Sequence, residues 1–121
     1  MQEVNDRVKT VADLKAQVRH FVRERDWDQY HFPKDLAIGL SIEAAELLEH
    51  FRFRSNDEVA ARLQDRDILK DIGRELADVL YFVVLMCDNR DLEAAQILEE
   101  KLKRSAARYP VEQARGKNLK Y

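Results

Sequence analysis

The stretch DIGRELADVLYFVVLMCD, residues 71–88, decides the fold of this chain. Together with Ile68 just before it, the stretch places apolar residues every three or four positions, which is the spacing of one face of an α-helix. We predict a helix from about Ile68 to Cys87, whose main stripe is formed by Ile68, Ile72, Leu76, Val79 and Val83. Tyr81 and Leu85 lie outside that stripe, and a helix that is apolar on two faces is usually buried on both.

The same spacing predicts three more helices in the rest of the chain. They run from Thr10 to about Trp27, from about Pro33 to Phe51, and from about Asp91 to Arg108. Thr10 is a suitable start because Asp13, three residues on, can complete a capping box. Residues 52–67 are polar and are predicted to form a loop with a short helical piece around Glu58 to Leu63.

Composition agrees with an all-α fold of four helices. Charged residues make up 36% of the 121 positions, whereas only 3 Gly and 2 Pro are available for turns, and no segment has the pattern of a strand. The length predicts one domain spanning residues 1–121. The predicted second helix, like the third, has extra apolar residues, Ile38 and Ile42, so we expect a homo-oligomer, either a dimer or a tetramer.

The single cysteine, Cys87, excludes an internal disulfide and lies in a nine-residue apolar run that begins at Val79. That run is far shorter than the roughly 20 residues that span a bilayer. The amino terminus lacks an apolar signal core. These features predict a soluble cytoplasmic protein with no membrane partner.

The charge is unevenly distributed along the chain. Residues 101–121 contain seven Lys or Arg and one acid, so the first hundred residues carry −8 of a total net charge of −2. A basic tail of this kind is typical either of a solvated helix end or of a site that binds an anion. Both interpretations remain open from the pattern alone.

Two of the predicted helices each contain two carboxylates spaced three residues apart, Glu43 with Glu46 and Glu75 with Asp78. At roughly 100° per residue, each pair lies about 80° and 140° from the apolar stripe of its helix, on the same rotational side. If the two helices pack antiparallel, as the roughly 16-residue connection allows, the four side chains point to one flank. Parallel helices would instead send them to opposite sides.

Four clustered carboxylates repel one another, and a divalent cation removes that conflict. Oxygen ligands alone favour Mg²⁺, or Mn²⁺, over zinc. A site containing histidine is less supported, because His50 follows Glu46 by four residues rather than the three of the di-iron motif. The alternative that these are solvated surface acids stays open, because a chain with 23 acids contains such spacings by chance.

The segments EAAELLEHF (43–51) and ELADVLYFV (75–83) resemble the ExxE and ExxD motifs of the MazG-like all-α nucleoside triphosphate pyrophosphohydrolases. The similarity is greatest to the dCTP pyrophosphatase branch of that family. It continues through ERDWDQYHFPKDLA (24–37) and RYPVEQARGKNLKY (108–121), in the same order.

This resemblance implies an enzyme that binds Mg²⁺ and cleaves a nucleoside triphosphate between its α- and β-phosphates. Glu43, Glu46, Glu75 and Asp78 match the family's metal ligands, and one of them, for which we choose Glu46, is expected to orient the attacking water. The favoured substrate is dCTP or a modified dCTP.

The resemblance also implies residues that contact the substrate. Lys101 and Arg108 match basic positions near the triphosphate, and Trp27 and His31 match a loop beside the base. Three further candidates depart from the usual pattern, with Ser105 in place of Asn, Phe53 in place of Trp and Phe82 in place of Tyr. Tyr109 and Lys117 are candidates from the tail.

For each of these residues a structural explanation is also open. Trp27 and Phe82 are equally typical of core packing, His31 of a surface imidazole, and Lys101 and Arg108 of the last turn of a helix, where the dipole favours cations. At the level of the whole chain, the alternative is a non-catalytic helical module that senses nucleotides or oligomerises. Nucleic-acid binding is not expected, because the body is acidic and we expect no basic stripe on a regular face.

Overall fold

The computed structural model of the protein describes residues 3–118, which form six α-helices and no strand. The helices are α1 (Val11–Glu24), α2 (Pro33–Glu49), α3 (Asn56–Arg62), α4 (Arg66–Asn89), α5 (Ala94–Arg108) and α6 (Val111–Ala114), with one 3-10 turn at Asp28–Tyr30 between α1 and α2. The four predicted long helices correspond to α1, α2, α4 and α5, so the all-α prediction is confirmed.

The predicted start of α1 is confirmed by its capping box. The backbone N–H of Asp13 donates to the Thr10 hydroxyl at 3.1 Å, and the N–H of Thr10 donates to the Asp13 carboxylate at 2.9 Å. These two bonds satisfy donors that a helix start otherwise leaves unpaired, and they lower the pKa of Asp13. The second helix was predicted to start at about Pro33, and Pro33 is the first residue of α2.

Several predicted helix ends were wrong by two or three residues. α1 ends at Glu24 because Asp26 adopts a left-handed backbone conformation with φ of 52°. α5 begins at Ala94 rather than at Asp91, because Asp91 also has a positive φ, 54°. Side-chain periodicity does not record such backbone reversals. The four-residue helix α6, which directly follows Pro110, was not predicted.

α2 and α4 run antiparallel and form the main interhelical contact. Three pairs of residues establish the direction. His31, just before α2, accepts a hydrogen bond from Asn89; Gly39 lies against Phe82; and His50 at the end of α2 lies near Glu75. Residue numbers therefore rise along α2 as they fall along the facing α4.

The core lies where α1, α2 and α4 meet. Val22, Leu36 and Leu85, one from each helix, are at most 3% exposed and form a single cluster. Val18, Tyr81, Phe82 and Met86 pack around them. Cys87 is also buried, as expected for a thiol in the apolar run.

α5 contributes no buried residue, and it shares no extended interface with another of the described helices. Its apolar side chains Ile97, Leu98 and Leu102 are 43–60% exposed. α2 and α4 likewise expose apolar side chains, namely Ile38, Ile42, Leu69 and Leu80. The predicted main stripe of α4 was wrong at Leu76 and Val83, which are also exposed. Of the helices in residues 3–118, none has the length and apolar character needed to cross a membrane.

Candidate metal centre and substrate residues

Three of the four predicted carboxylates meet between α2 and α4. One oxygen from each of Glu43, Glu75 and Asp78 lies within 4.8 Å of the others. Glu43 and Glu75 are half-buried, whereas Asp78 is exposed at the edge of the group. We call these three side chains the carboxylate triad. Because the two helices run antiparallel, residues with the same rotational offset from the apolar stripe face one flank, as the sequence pattern predicted.

Glu46 is exposed and lies beside the triad, next to Glu43. Glu46 is close enough to Glu43 to change the pKa of the Glu43 carboxyl. Burial raises the pKa of Glu43 most, and the charge and hydrogen bond of Glu46 raise this pKa further, ahead of the charges of Asp78 and Glu75. The other three acids therefore lie close enough to Glu43 to oppose its ionisation, and Glu46 lies on the solvent side of the group.

Two oxygens of the triad have no hydrogen-bond partner among the described residues. They are the buried Oε2 atoms of Glu43 and Glu75, one on each helix. A buried carboxylate oxygen without a donor is costly, so such atoms call for an explanation. A divalent cation between the helices provides one, since hard cations such as Mg²⁺ and Mn²⁺ prefer carboxylate oxygens. The donor set therefore fits such an ion.

His50 lies against the carboxylate triad, although the sequence pattern gave less support to a site containing histidine. Its Nε2 lies 3.7 Å from Oε1 of Glu75, and both side chains are about four-fifths buried. The motif that was tested required a histidine three residues after a glutamate. A spacing of four residues from Glu46 also places His50 on the same helical face, and this spacing could have identified His50 from the sequence.

Four aromatic rings connect the loop after α1 with the edge of the triad. The Trp27 ring contacts Phe21 edge-on at a centroid distance of 5.7 Å, Phe21 contacts Tyr81 at 6.2 Å, and Tyr81 contacts Phe82 at 5.3 Å. Phe82 is four residues beyond Asp78 on α4. Trp27 is 40% exposed, so part of its ring remains available to a ligand.

His31 lies between the loop and the end of α4. Its carbonyl oxygen accepts a 3.4 Å hydrogen bond from Nδ2 of Asn89. The Nδ1 atom of His31 and the Oδ1 atom of Asn89 are both buried without a partner among residues 3–118. Sequence reasoning found His31 but not Asn89, whose only signal is its place at the end of α4.

Phe53 follows α2 and is the most exposed large apolar residue described, at 91%. Its backbone is left-handed, with φ of 62°, and the guanidinium of Arg52 lies 4.4 Å from its ring centroid. This conformation is unusual for a bulky residue and costs free energy. The ring is thus held in solvent rather than packed against the protein.

The predicted basic residues gather at the end of α5, away from the interface between α2 and α4. Nζ of Lys101 donates to the Ser105 hydroxyl at 2.8 Å, and the guanidinium of Arg108 lies over the Tyr109 ring at 5.5 Å. A surface cavity of about 300 Å³ is lined by Lys101, Arg104, Ser105, Arg108 and Tyr109. We call these five residues the α5 basic face.

Arg104 was missed in the sequence analysis, although its spacing from Lys101 and Arg108 is that of one helical face. The expectation that no basic stripe exists was therefore wrong, although the stripe is confined to the last two turns of α5. Lys117, the other candidate from the tail, is exposed after α6.

Comparison with known proteins identifies the family. The sequence profile of the MazG-like family matches residues 38–121. The dCTP pyrophosphatase 1 of Mus musculus is 31% identical over 112 residues, and that of Homo sapiens is 29% identical. Both alignments cover 93% of this chain but 66% of the relative, so the chain spans slightly less than two thirds of these proteins.

A solved structure gives the same result. The crystal structure of a pyrophosphatase from Archaeoglobus fulgidus DSM 4304 superposes with a TM-score of 0.78 at 33% identity, covering 89% of this chain and 99% of that chain. Fold and sequence therefore agree over most of the molecule, and the chain belongs to the MazG-like family.

Proposed function

We propose that this protein is a nucleoside triphosphate pyrophosphohydrolase that depends on Mg²⁺, with Mn²⁺ as a possible substitute. It cleaves between the α- and β-phosphates and releases a nucleoside monophosphate and pyrophosphate. The observation that carries the proposal is the carboxylate triad, in which Glu43 and Glu75, on antiparallel helices, each have a buried oxygen with no partner among residues 3–118. Relatives named pyrophosphatase support the reaction class.

In this proposal, Glu43, Glu75 and Asp78 hold the metal between α2 and α4. Bound Mg²⁺ neutralises phosphate charge and polarises the phosphate oxygens. Glu46 is exposed next to Glu43, so its carboxylate can accept a hydrogen bond from a water molecule entering from solvent and can orient that water toward phosphorus. Glu46 therefore has either of two roles, as a fourth ligand or as the group that positions the water.

The α5 basic face is proposed to bind the triphosphate. Lys101 supplies a compact charge and Arg108 a bidentate fork, and both suit phosphate oxygens. Ser105 can donate its hydroxyl to the same group. For this contact, α5 must lie close to a carboxylate triad. A homo-oligomer that covers the exposed apolar side chains of α5 offers a way to bring the two together.

The base is proposed to lie against the exposed aromatic residues. Trp27 presents part of its ring and Phe53 nearly all of it, and an aromatic plane can stack on a base. His31 is proposed to line the same pocket. Because curated relatives are named for dCTP, we favour dCTP or a modified dCTP as substrate, and removal of unwanted nucleotides from the cellular pool as the role.

We also propose that the protein acts as a single-domain homo-oligomer, either a dimer or a tetramer. The supporting observation is the exposed apolar surface of α2, α4 and α5, which is unusually extensive for a monomer.

A panel of ribonucleoside and deoxyribonucleoside triphosphates, incubated with the protein and Mg²⁺, tests the proposal. We expect pyrophosphate release, greatest with a cytosine deoxynucleotide. Glu46→Gln is expected to abolish turnover, while Glu49→Gln on the same helix, where Glu49 pairs with Arg52 at 2.6 Å, should remain active. Binding of a non-hydrolysable dCTP analogue without any turnover would instead indicate a nucleotide sensor.

A further inference from the structure

Gly39 lies inside the 17-residue helix α2, where glycine is a poor helix former. Its surroundings supply a reason for its presence. A Cβ atom at this position would lie 2.5 Å from Cζ and 2.6 Å from Cε1 of the Phe82 ring. Carbon atoms in favourable contact are about 3.5–4.0 Å apart. The Phe82 ring thus occupies the space that any other residue at position 39 would fill.

This contact is one helical turn from the carboxylate triad. Gly39 precedes Glu43 by four residues on α2, and Phe82 follows Asp78 by four residues on the antiparallel α4. Residues spaced by four lie on the same helical face. The contact between Gly39 and Phe82 is therefore the packing layer next to the two acids that approach each other across the interface.

The Phe82 ring has little room to retreat. On one side it packs against the core cluster of Val22, Leu36 and Leu85, and the Tyr81 ring lies 5.3 Å away. Close-packed interiors transmit such a displacement rather than absorb it. An added Cβ must therefore displace the Phe82 ring from its place against the core or push α2 away from α4.

We propose that Gly39 is a positioning residue of the metal centre. Its missing Cβ admits the Phe82 ring against α2 and so holds α2 and α4 at the separation at which Glu43 and Asp78 share one cation. The inference rests on the proposed metal-dependent function. It assigns Phe82 a packing role beside the site and explains why this chain places a glycine inside α2.

Calorimetric titration of the full chain with MnCl₂, without nucleotide, tests the inference. Gly39→Ala is expected to weaken Mn²⁺ binding by about tenfold or more, the size of effect that misaligned supporting residues have on metal affinity. Gly73→Ala is the matched control, because a Cβ there has no atom within 4 Å. Both substitutions improve helix propensity, so loss of affinity in the first alone cannot arise from a weakened helix. Circular dichroism verifies that both variants are folded.

The double variant Gly39→Ala with Phe82→Leu separates positioning from general damage. A smaller side chain at position 82 relieves the contact, so Mn²⁺ affinity should return to that of Phe82→Leu alone. Wild-type affinity in a folded Gly39→Ala variant overturns the inference, and so does a double variant that stays as weak as Gly39→Ala. Absence of Mn²⁺ and Mg²⁺ binding by the wild-type protein instead contradicts the proposed function itself.

Discussion

Glu43 is the acid of the proposed metal centre whose ionisation the surrounding structure opposes. It is half-buried, one of its oxygens has no partner among the described residues, and its charge faces three other acids. Burial first, and then the neighbouring charges and the hydrogen bond with Glu46, raise the pKa of Glu43 above the ordinary value of 4.5. Ionised Glu43, a proposed metal ligand, is therefore expected to destabilise the metal-free protein.

The direction of the pH effect follows from that raised pKa. Protonated Glu43 favours the folded state at low pH, and this contribution is lost as the pH rises through the pKa of the folded protein. Metal binding needs the ionised form, so affinity for Mg²⁺ should fall as the pH drops through the same range above 4.5. Calorimetric titrations at several pH values measure this decline.

Glu43→Gln provides the corresponding mutational test. The variant should have a higher Tm than the wild type in the absence of metal at neutral pH, because it removes the ionised carboxylate. It should also lose the rise in Tm that Mg²⁺ causes by binding the folded state. Differential scanning calorimetry with and without Mg²⁺ measures both effects. A variant that is less stable without metal and still stabilised by Mg²⁺ would contradict this account of Glu43.

The sequence reveals a site residue when helix geometry determines its position, and it does not when side-chain packing determines it. The shared spacing of Glu43, Glu75 and Asp78 predicts a common flank once the two helices are taken to pack antiparallel, because helix geometry then places the three side chains on the same side. Gly39 was not found, since its role depends on where the Phe82 ring lies, and that is a property of packing. Phe53 was found only through the family resemblance, because nothing in the local sequence indicates that its backbone is left-handed.

Among the helices, α5 differs from the others because it packs little against the protomer and carries the basic residues. Its basic face lies on its last two turns, where the helix dipole also favours cations, so part of that charge pattern serves the helix itself. The two roles are distinguished by comparing lysines of the same helix. Lys101 contacts Ser105 within the cavity, whereas Lys103 lies outside it and pairs with Glu99 at 3.4 Å.

Lys101→Ala is therefore expected to lower kcat/KM for the triphosphate by about 10- to 100-fold, since a charge-assisted hydrogen bond contributes roughly 1.5–3 kcal/mol. The loss should appear mainly in KM if Lys101 binds the triphosphate equally in the ground and transition states. Lys103→Ala removes the same charge from the same helix and should have little effect. Equal losses in the two variants would show that only the overall charge of α5 matters.

Helix existence was predictable from periodicity, because long amphipathic segments satisfy their backbone internally and need only one partner face. The ends of the helices were less predictable than their existence. The carboxyl-terminal end of α1 and the start of α5 are set by Asp26 and Asp91, whose positive φ values reflect how the chain turns between helices. The start of α1 is the exception, because its capping box is local and therefore visible in the sequence.

The protomer as a whole exposes more apolar surface than an isolated small domain is expected to expose. Leu98 and Leu102 on α5 are each close to 60% exposed, and Leu76 and Leu80 on α4 about half exposed. Burial of this surface between copies of the chain is expected to stabilise the assembly. In solution, the mass should then be two or four times the 14.2 kDa of one chain.

Leu102→Glu tests this assembly by placing a charge on the exposed apolar face of α5. Light scattering coupled to size-exclusion chromatography should give a smaller mass for this variant than for the wild type. Gln96→Glu introduces the same side chain at a polar position of α5 and should keep the wild-type mass. A wild-type protein that elutes at 14.2 kDa at micromolar concentration would refute the proposed oligomer.

We propose that the metal centre between α2 and α4 directs cleavage between the α- and β-phosphates. Phosphorus NMR of dCTP incubated with the wild-type protein tests this most directly, with Mg²⁺ present in one sample and removed by chelation in another. We expect dCMP and pyrophosphate in equal amounts with Mg²⁺, and no reaction without it. Formation of dCDP and orthophosphate, or hydrolysis that continues after the metal is removed, would contradict it.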